Sequence, residues 1–414
     1  MATTFDALLA CIFPLALCFV GYRLRDNFCS LADLRHLLFP TSSPPSSTAA
    51  LFSLERAYNA YLQYESLSKG EISTMKASYG KLGRSHKKLG SKIGYTKKLE
   101  RLWDTTGLNG MLAADIAERA VLDHPTLQDQ PRLTSSFSDL ARVREAMKHY
   151  IRDWSEDGLR ERTAIFSPIL NLLATVDPQE RRSQKILVPG AGLCRLAWEI
   201  SQLGFDTSAN ELSYYMILAF RLLVSTDTVN EHKLRPYAHW WSHQRDSESL
   251  FRAVSFPDSL PRLGPNFRLI EGDFLKIDPP AVSADEFWKD NSSRLPSNGE
   301  GYDYVVTLFF IDTSTNVFET MEQIYRLLRP GGTWVNLGPL LWTGGGHASL
   351  ELSLTEVLQA AHEIGFDVQQ NHEDPGHPEA RRTVECEYTA DADAMMQWTY
   401  KAEYWVARKP AAST

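Results

Sequence analysis

Residues Lys185-Ile-Leu-Val-Pro-Gly-Ala-Gly-Leu-Cys-Arg-Leu-Ala-Trp-Glu199 constrain the fold of this chain more than any other stretch. A short apolar run rich in β-branched residues meets Gly190 and Gly192, and an amphipathic stretch follows at once. That pattern predicts a buried strand, a tight turn and a helix, the opening of a nucleotide-binding βαβ unit. Neither glycine has a Cβ, so the backbone there can approach a ligand closely.

Later segments fall where one architecture requires them. Strand one covers Ile186–Val188, with its helix from about Cys194 to Leu203. Gly204-Phe-Asp-Thr-Ser-Ala-Asn-Glu211 predicts a turn and a second strand with an acidic end. Phe267 to Phe274 predicts a third strand running into an acidic turn. Asp303 to Asp312 predicts a long strand buried on both faces. An amphipathic helix over Val317 to Leu328 is stopped by Arg329-Pro-Gly-Gly332, and Thr333 to Gly338 predicts a fifth strand. Phe366–Gln369 and Glu403–Ala407 are expected to pair antiparallel at the sheet's edge. Strands alternating with helices imply an α/β fold with a doubly wound, mostly parallel sheet. Its ligand should lie across the carboxyl ends of the strands.

The rest of the chain divides by pattern. Residues 1–40 are an apolar N-terminal segment, in which Ala7 to Tyr22 is almost wholly apolar and is followed by Arg23 and Arg25. A spanning helix needs about 20 apolar residues, with a lower limit near 17. This run falls just short and contains Pro14. A membrane anchor and a buried or interfacial helix both remain open, and the flanking arginines would leave the following chain on the cytoplasmic side. Residues 41–50 are a Ser/Pro linker. Residues 51–150 carry helical spacing, with a Lys/Arg-rich stretch from Lys69 to Arg101 that suits a solvated face or a phosphate or lipid surface. Residues 151–414 hold the α/β domain, with a polar insertion near 230–266. A net charge of −8 argues against a general nucleic-acid binder. Five cysteines without metal-site spacing argue against a zinc site or a disulfide framework. His239 and His243 in His-Trp-Trp-Ser-His have no carboxylate at matching spacing and are not expected to hold a metal.

Glu211 lies about 20 residues beyond the glycine turn, where a carboxylate can accept both hydroxyls of a ribose. Its bland alternative is an exposed strand-end glutamate. Asp273 can accept from an adenine amino group while Phe274 packs against the ring; otherwise Asp273 is a turn residue. Together these positions describe an adenosine pocket. The third glycine of a dinucleotide fingerprint is missing, because Cys194 and Arg195 follow Gly190-Ala-Gly-Leu. Asp312 ends the central strand, where a carboxylate can orient an imidazole or amine through its N–H and take up a proton. Its alternative is a cap for the helix near Val317, in competition with Thr313 and Ser314.

The run Leu-Leu-Arg-Pro-Gly-Gly-Thr-Trp-Val resembles the helix-to-strand motif of class I S-adenosylmethionine-dependent methyltransferases. More narrowly, the chain resembles the carnosine N-methyltransferases from about Tyr150 to Pro410. The motifs are Ile-Arg-Asp-Trp-Ser, Ile-Leu-Val-Pro-Gly-Ala-Gly-Leu, Leu-Ala-Trp-Glu-Ile, Phe-Phe-Ile-Asp-Thr, Asn-Leu-Gly-Pro-Leu-Leu and Val-Ala-Arg-Lys-Pro. The resemblance implies S-adenosyl-L-methionine as cofactor, with Arg152, Gly190, Glu211, Asp273 and Phe274 holding it and Leu308 on the adenine side, where the family tends to have cysteine. It implies that Asp312, Tyr388 and Tyr400 contact a small peptide substrate. Departures are Cys194 for glycine and His149 for a cofactor-binding glutamine. The histidine that follows Gly-Pro-Leu-Leu-Tyr in the family is also replaced, since the run here is Gly338-Pro-Leu-Leu-Trp-Thr343. His347 is the nearby candidate to stand in for it. The expected activity is N-methylation of an imidazole or amine of a carnosine-like dipeptide. Its alternatives are methylation of a peptide-derived secondary metabolite and a membrane-tethered protein that keeps the fold without turnover.

Overall fold

The computed structural model describes residues 48–280, 301–342, 348–369 and 377–411. The chain divides into two compact units, Met1–Leu51 and Phe52–Thr414. Of the first, only the short helix Thr48–Leu51 is described. The apolar segment Ala7–Tyr22 lies outside the described residues, and no helix among them is long and apolar enough to cross a membrane.

Among the described residues of the second unit there are ten strands: β1 (Lys185–Pro189), β2 (Asp206–Glu211), β3 (His232–Leu234), β4 (Val254–Phe256), β5 (Phe267–Glu271), β6 (Tyr302–Leu308), β7 (Leu328–Gly338), β8 (Asp367–Val368), β9 (Arg382–Cys386) and β10 (Tyr400–Arg408). One sheet runs β5-β2-β1-β6-β7-β10-β8, with β9 also paired to β10. Strands β5, β2, β1, β6 and β7 are parallel, and β10 is antiparallel to β7. This is the doubly wound sheet expected from the sequence. The chain winds outward from β1 to β2 and β5 on one side, then returns to lay β6 on the other. The carboxyl ends of β1 and β6 therefore flank the switch point, where an open α/β sheet has its ligand crevice. The expected antiparallel pair is present, with Val368 opposite Ala407.

Side-chain alternation explains why both faces are covered. Ile186, Val188, Val335, Leu337, Tyr404 and Val406 enter one hydrophobic cluster, while Leu187, Trp334, Trp405 and Ala407 enter the other. The first cluster is completed by helices α1 (Leu54–Gly80), α3 (Tyr95–Asp123), α4 (Phe137–Trp154) and α5 (Leu159–Ala174), through residues such as Tyr61, Ile116, Val143, Tyr150 and Ile165. The short α2 (Arg84–Lys92) sits between α1 and α3 in the chain, and α6 (Arg195–Gln202) and α7 (Tyr214–Ser225) follow β1 and β2. Helices α8 (Val317–Leu327) and α9 (Leu354–Ile364) cover the opposite face. The helices before residue 150 thus share a core with the sheet.

Two local expectations are corrected by the structure. The apolar run Asp303–Asp312 does not stay extended: β6 ends at Leu308, Phe309 turns into the left-handed region at φ 51°, and Ile311–Thr313 coil into a single turn. Strand β7 begins at Leu328, not Thr333, because Arg329-Pro-Gly-Gly forms an irregularity within it. A Cβ on Gly332 would lie 2.8 Å from the Arg329 carbonyl and 3.0 Å from that of Tyr302, which only glycine avoids. The polar insertion is ordered as the β3–β4 ribbon, and Phe256 on β4 stacks on Tyr150 with ring centroids 4.3 Å apart. Beyond that ribbon, the buried Asp258 carboxylate binds both Arg162 and Arg195. Arg195 also pairs with Glu199 at 2.7 Å, so two carboxylates compensate the two guanidinium groups.

Candidate active site

The glycine turn leaves β1 at the switch point with both glycines in the left-handed region, Gly190 at φ 63° and Gly192 at φ 55°. They differ in what they face. A Cβ on Gly190 would lie 2.5 Å from Cδ2 of Phe310, whereas one on Gly192 would meet nothing within 4 Å. Gly190 is required by packing, and Gly192 opens onto space. Gly190→Ala should therefore lower the unfolding free energy by roughly 2 kcal/mol, from left-handed strain plus the displaced ring. Denaturant unfolding checks this, and a midpoint equal to the parent's would show that Phe310 yields freely.

Cys194 is the third left-handed residue of the loop, at φ 60°. That conformation explains why glycine suits the position, since a side chain there costs about 1–2 kcal/mol. The thiol is buried, and burial pushes its pKa well above the usual value. It is a neutral packing group.

The turn also builds the acidic site. Gly192 N–H donates to Oε2 of Glu211 at 2.8 Å, and Ser213 N–H donates to Oε1 at 2.8 Å. Glu211 is 8% exposed, so it is not the exposed strand-end glutamate of the bland alternative. Burial raises its pKa, against the two backbone donors that lower it. Both oxygens are held in place, and each keeps a lone pair for a further donor.

Helix α4 delivers the next group. A capping box at Ser136 and Asp139 sets its start. At its end, His149, Arg152 and Asp153 share one face by their i, i+3, i+4 spacing. Asp153 Oδ1 accepts from Arg152 Nε at 2.7 Å, and Oδ2 lies 3.3 Å from His149 Nδ1. Burial works to raise the Asp153 carboxyl, but Arg152 and His149 outweigh it and hold it well below the usual range. Trp154 then clamps the helix end to the glycine turn, its Nε1 donating to Leu193 O at 2.9 Å. Within the Ile-Arg-Asp-Trp-Ser motif, Arg152, Asp153 and Trp154 thus shape the site, and Ser155 Oγ donates to Ile151 O at 2.7 Å.

Aromatic rings join these parts. Phe310 meets Phe274 edge to face at 5.2 Å, and Phe309 packs on Tyr388 at 5.0 Å and Tyr400 at 6.0 Å. Tyr388 Oη lies 3.3 Å from His149 Nε2, and its ring sits 4.6 Å from the Arg152 guanidinium. Burial pushes the Tyr388 hydroxyl up to about 12, so it remains a donor at neutral pH. Leu308 ends β6, half-buried beside this cluster.

Asp312 is 5% exposed, and its Oδ2 accepts from Leu341 N–H at 2.8 Å. Burial pushes its pKa up to about 6. It does not cap the following helix: that role belongs to Asn316, which accepts from Phe318 N–H at 3.2 Å. Asp273 accepts from Leu275 N–H at 3.1 Å and lies 3.7 Å from Lys276 Nζ, half-buried at the rim. Its local bonds are those of a turn aspartate, with Phe274 beside it buried.

The structure thus brings His149, Arg152, Gly190, Gly192, Glu211, Phe274, Leu308, Asp312, Tyr388 and Tyr400 to one end of the sheet, with Asp273 at its margin. His347 and Thr343 lie outside the described residues. Trp342 is 9% exposed and donates from Nε1 to Leu352 O at 2.9 Å, so it serves the core. His239 is likewise structural: it lies 3.1 Å from Arg144, and burial holds its pKa down to about 3. No cluster of potential metal ligands occurs among the described residues. Sequence reasoning missed Asp153, Phe309 and Phe310 as parts of the site. The i, i+4 spacing of His149 and Asp153 was the available signal for the first; nothing announced the reversal at Phe309.

Comparison with known proteins places this geometry. The family model described as "Carnosine N-methyltransferase" matches residues 129–411. The mouse carnosine N-methyltransferase is 34% identical over 289 residues, covering 67% of this chain and 65% of that protein. The Schizosaccharomyces pombe relative of the same name is 29% identical over 379 residues, covering 86% of this chain and 95% of that protein. The Drosophila melanogaster relative "Carnosine N-methyltransferase unmet" is 31% identical, covering 66% of this chain and 56% of that protein. The chain therefore spans about two thirds or less of the length of the two animal relatives and nearly all of the fission-yeast one.

Proposed function

The chain belongs to the carnosine N-methyltransferase family, and from that premise we propose that it transfers a methyl group from S-adenosylmethionine to an imidazole or amine nitrogen of a carnosine-like dipeptide. The observation that carries the proposal is the pairing of two buried carboxylates, Glu211 and Asp312, either side of the switch point, in different hydrogen-bonding environments. Open space at Gly192 and the free lone pairs of Glu211 fit an adenosine ribose. Phe274 offers an apolar face for the adenine, with Asp273 at its rim and Leu308 near by. Arg152, held by Asp153 and bordered by His149, supplies fixed charge at the same end.

The cofactor, when bound, supplies an activated methyl group on a sulfonium. The protein has to orient a neutral nitrogen toward that methyl and receive a proton. Asp312, ionised above about pH 6, accepts the acceptor's N–H and takes or passes on the proton as the nitrogen–carbon bond forms and the sulfur–carbon bond breaks. Its hydrogen bond from Leu341 N–H keeps one oxygen fixed while the other can turn to substrate. Tyr388 and Tyr400 flank Phe309 and present an apolar body with a polar tip to the peptide.

The replaced histidine after Gly338-Pro-Leu-Leu favours a second acceptor, a peptide-derived secondary metabolite methylated by the same chemistry. Both are tested by incubating the full chain with methyl-labelled S-adenosylmethionine and carnosine, other histidine dipeptides or a small-peptide extract, with mass spectrometry of the products. Label on the carnosine imidazole is the expected result. Cofactor binding with product only from the extract would replace the dipeptide by the second acceptor. Absence of cofactor binding would sink both in favour of a non-catalytic protein.

A further inference from the structure

Charge is distributed unevenly along this chain. From Lys69 to Arg101 there are ten Lys or Arg and two Glu, a net +8, while the other 33 basic and 49 acidic residues leave the remainder at −16. The structure folds this segment into the end of α1, all of α2 and the start of α3. It packs through its apolar residues: Tyr79 meets Tyr95 in a tilted contact at 4.9 Å and donates to Lys87 O at 2.8 Å, and Gly90 on α2 lets that ring approach closely. Two of the cations are neutralised locally, Lys69 by Glu65 and Arg101 by Glu248. Lys76, Lys81, Arg84, Lys88, Lys92 and Lys97 are exposed and have no carboxylate partner among the described residues. Three of them, Arg84, Lys88 and Lys92, repeat every four residues along one face of α2.

The same hairpin tip exposes aliphatic side chains. Leu82 is 44% exposed, Leu89 59% and Ile93 74%. Together with Met75, Tyr79 and Tyr95 they line an open groove of about 540 Å³. No interior needs these side chains, and aliphatic groups of this size concentrated at one tip among unpaired cations mark an interaction surface. A nucleic-acid backbone would engage the cations and leave the aliphatics unused; single-strand sites present open aromatic platforms instead. A bilayer interface uses both at once, with acyl-chain boundary for the aliphatic groups and anionic headgroups for the lysines.

We propose that the helical hairpin over residues 69–101 docks the protein on an anionic phospholipid surface, with Leu82, Leu89 and Ile93 entering the interface and the surrounding lysines meeting the headgroups. The surface is remote in sequence from every residue assigned to methyl transfer, and the proposal is independent of the substrate.

The test is co-sedimentation of the full chain with phosphatidylcholine vesicles, with and without phosphatidylserine. The segment Ala7–Tyr22 is present in every sample, so the reading is the difference between the two vesicle types. Binding that requires phosphatidylserine and weakens with added salt is expected. Combined Lys81→Glu, Arg84→Glu, Lys88→Glu and Lys92→Glu should reduce it at least about tenfold. Combined Leu89→Asp and Ile93→Asp should also reduce it, with thermal unfolding and cofactor binding unchanged in both variants. Equal binding to both vesicle types, or binding indifferent to all these substitutions, overturns the proposal. Tighter binding to duplex RNA that is lost on charge reversal but survives Leu89→Asp with Ile93→Asp overturns it in favour of a nucleic-acid surface.

Discussion

Replacing Asp312 by asparagine should cut kcat/KM by about two to four orders of magnitude while making the folded protein more stable at neutral pH. The two effects have one cause. Burial raises the Asp312 carboxyl from 3.8 to about 6, so the folded state holds that proton more tightly than the unfolded chain. Its stabilising contribution is complete below pH ~4 and is lost as pH rises through ~6. At pH 7 the carboxylate is ionised in a poorly solvated place, a liability of roughly 2–3 kcal/mol. Asparagine can still accept from Leu341 N–H, so the loop contact survives. The midpoint of thermal unfolding should therefore rise at pH 7 and change little at pH 4. The parent enzyme's rate should climb through pH ~6, and that limb should be missing in Asp312→Asn. Unchanged turnover would remove Asp312 from the mechanism, and unchanged stability at pH 7 would mean that the carboxylate is better solvated than its burial implies.

Glu211→Gln should weaken cofactor binding about tenfold to a hundredfold, the worth of one or two hydrogen bonds to a charged acceptor. The conservative change is severe because both carboxylate oxygens already accept backbone N–H groups, from Gly192 and Ser213. An amide can satisfy only one of them and turns its NH₂ toward the other donor. The glycine turn then loses the bond that ties it to the end of β2, so the site is perturbed on both sides. Calorimetric titration with S-adenosylmethionine measures the change, and a dissociation constant equal to the parent's would refute the ribose role. Asp273→Asn should matter far less, because its present bonds are to its own turn.

The fold was legible because its signals are local and periodic. Glycines at 190 and 192 follow an apolar strand, and Glu211 closes the next one. The sheet's two-sided burial is written in the largely apolar runs of β1 and β6. The helix ending in Arg-Pro-Gly-Gly was legible for the same reason, although the structure moves the start of β7 five residues earlier, to Leu328, ahead of the glycines. Helix α9 and strand β9 escaped. Alternation in Arg382–Cys386 is half exposed, which leaves little contrast between its faces.

What the sequence by itself determined is the order of strands and helices, the glycine turn and the carboxylates at the strand ends, because each depends on neighbours a few residues away. Only the tertiary structure decided which of those residues meet. Asp153 became the partner of His149 and Arg152 because α4 carries all three to the glycine turn and Trp154 fastens it there. Tyr388 joined them from 239 residues further along the chain than His149. Phe309 reversed the central strand because Leu337 still holds its N–H at 2.8 Å while Phe310 must reach Gly190 and Phe274. Such contacts depend on how close the packed layers approach, and side-chain spacing along a single chain carries no record of that distance.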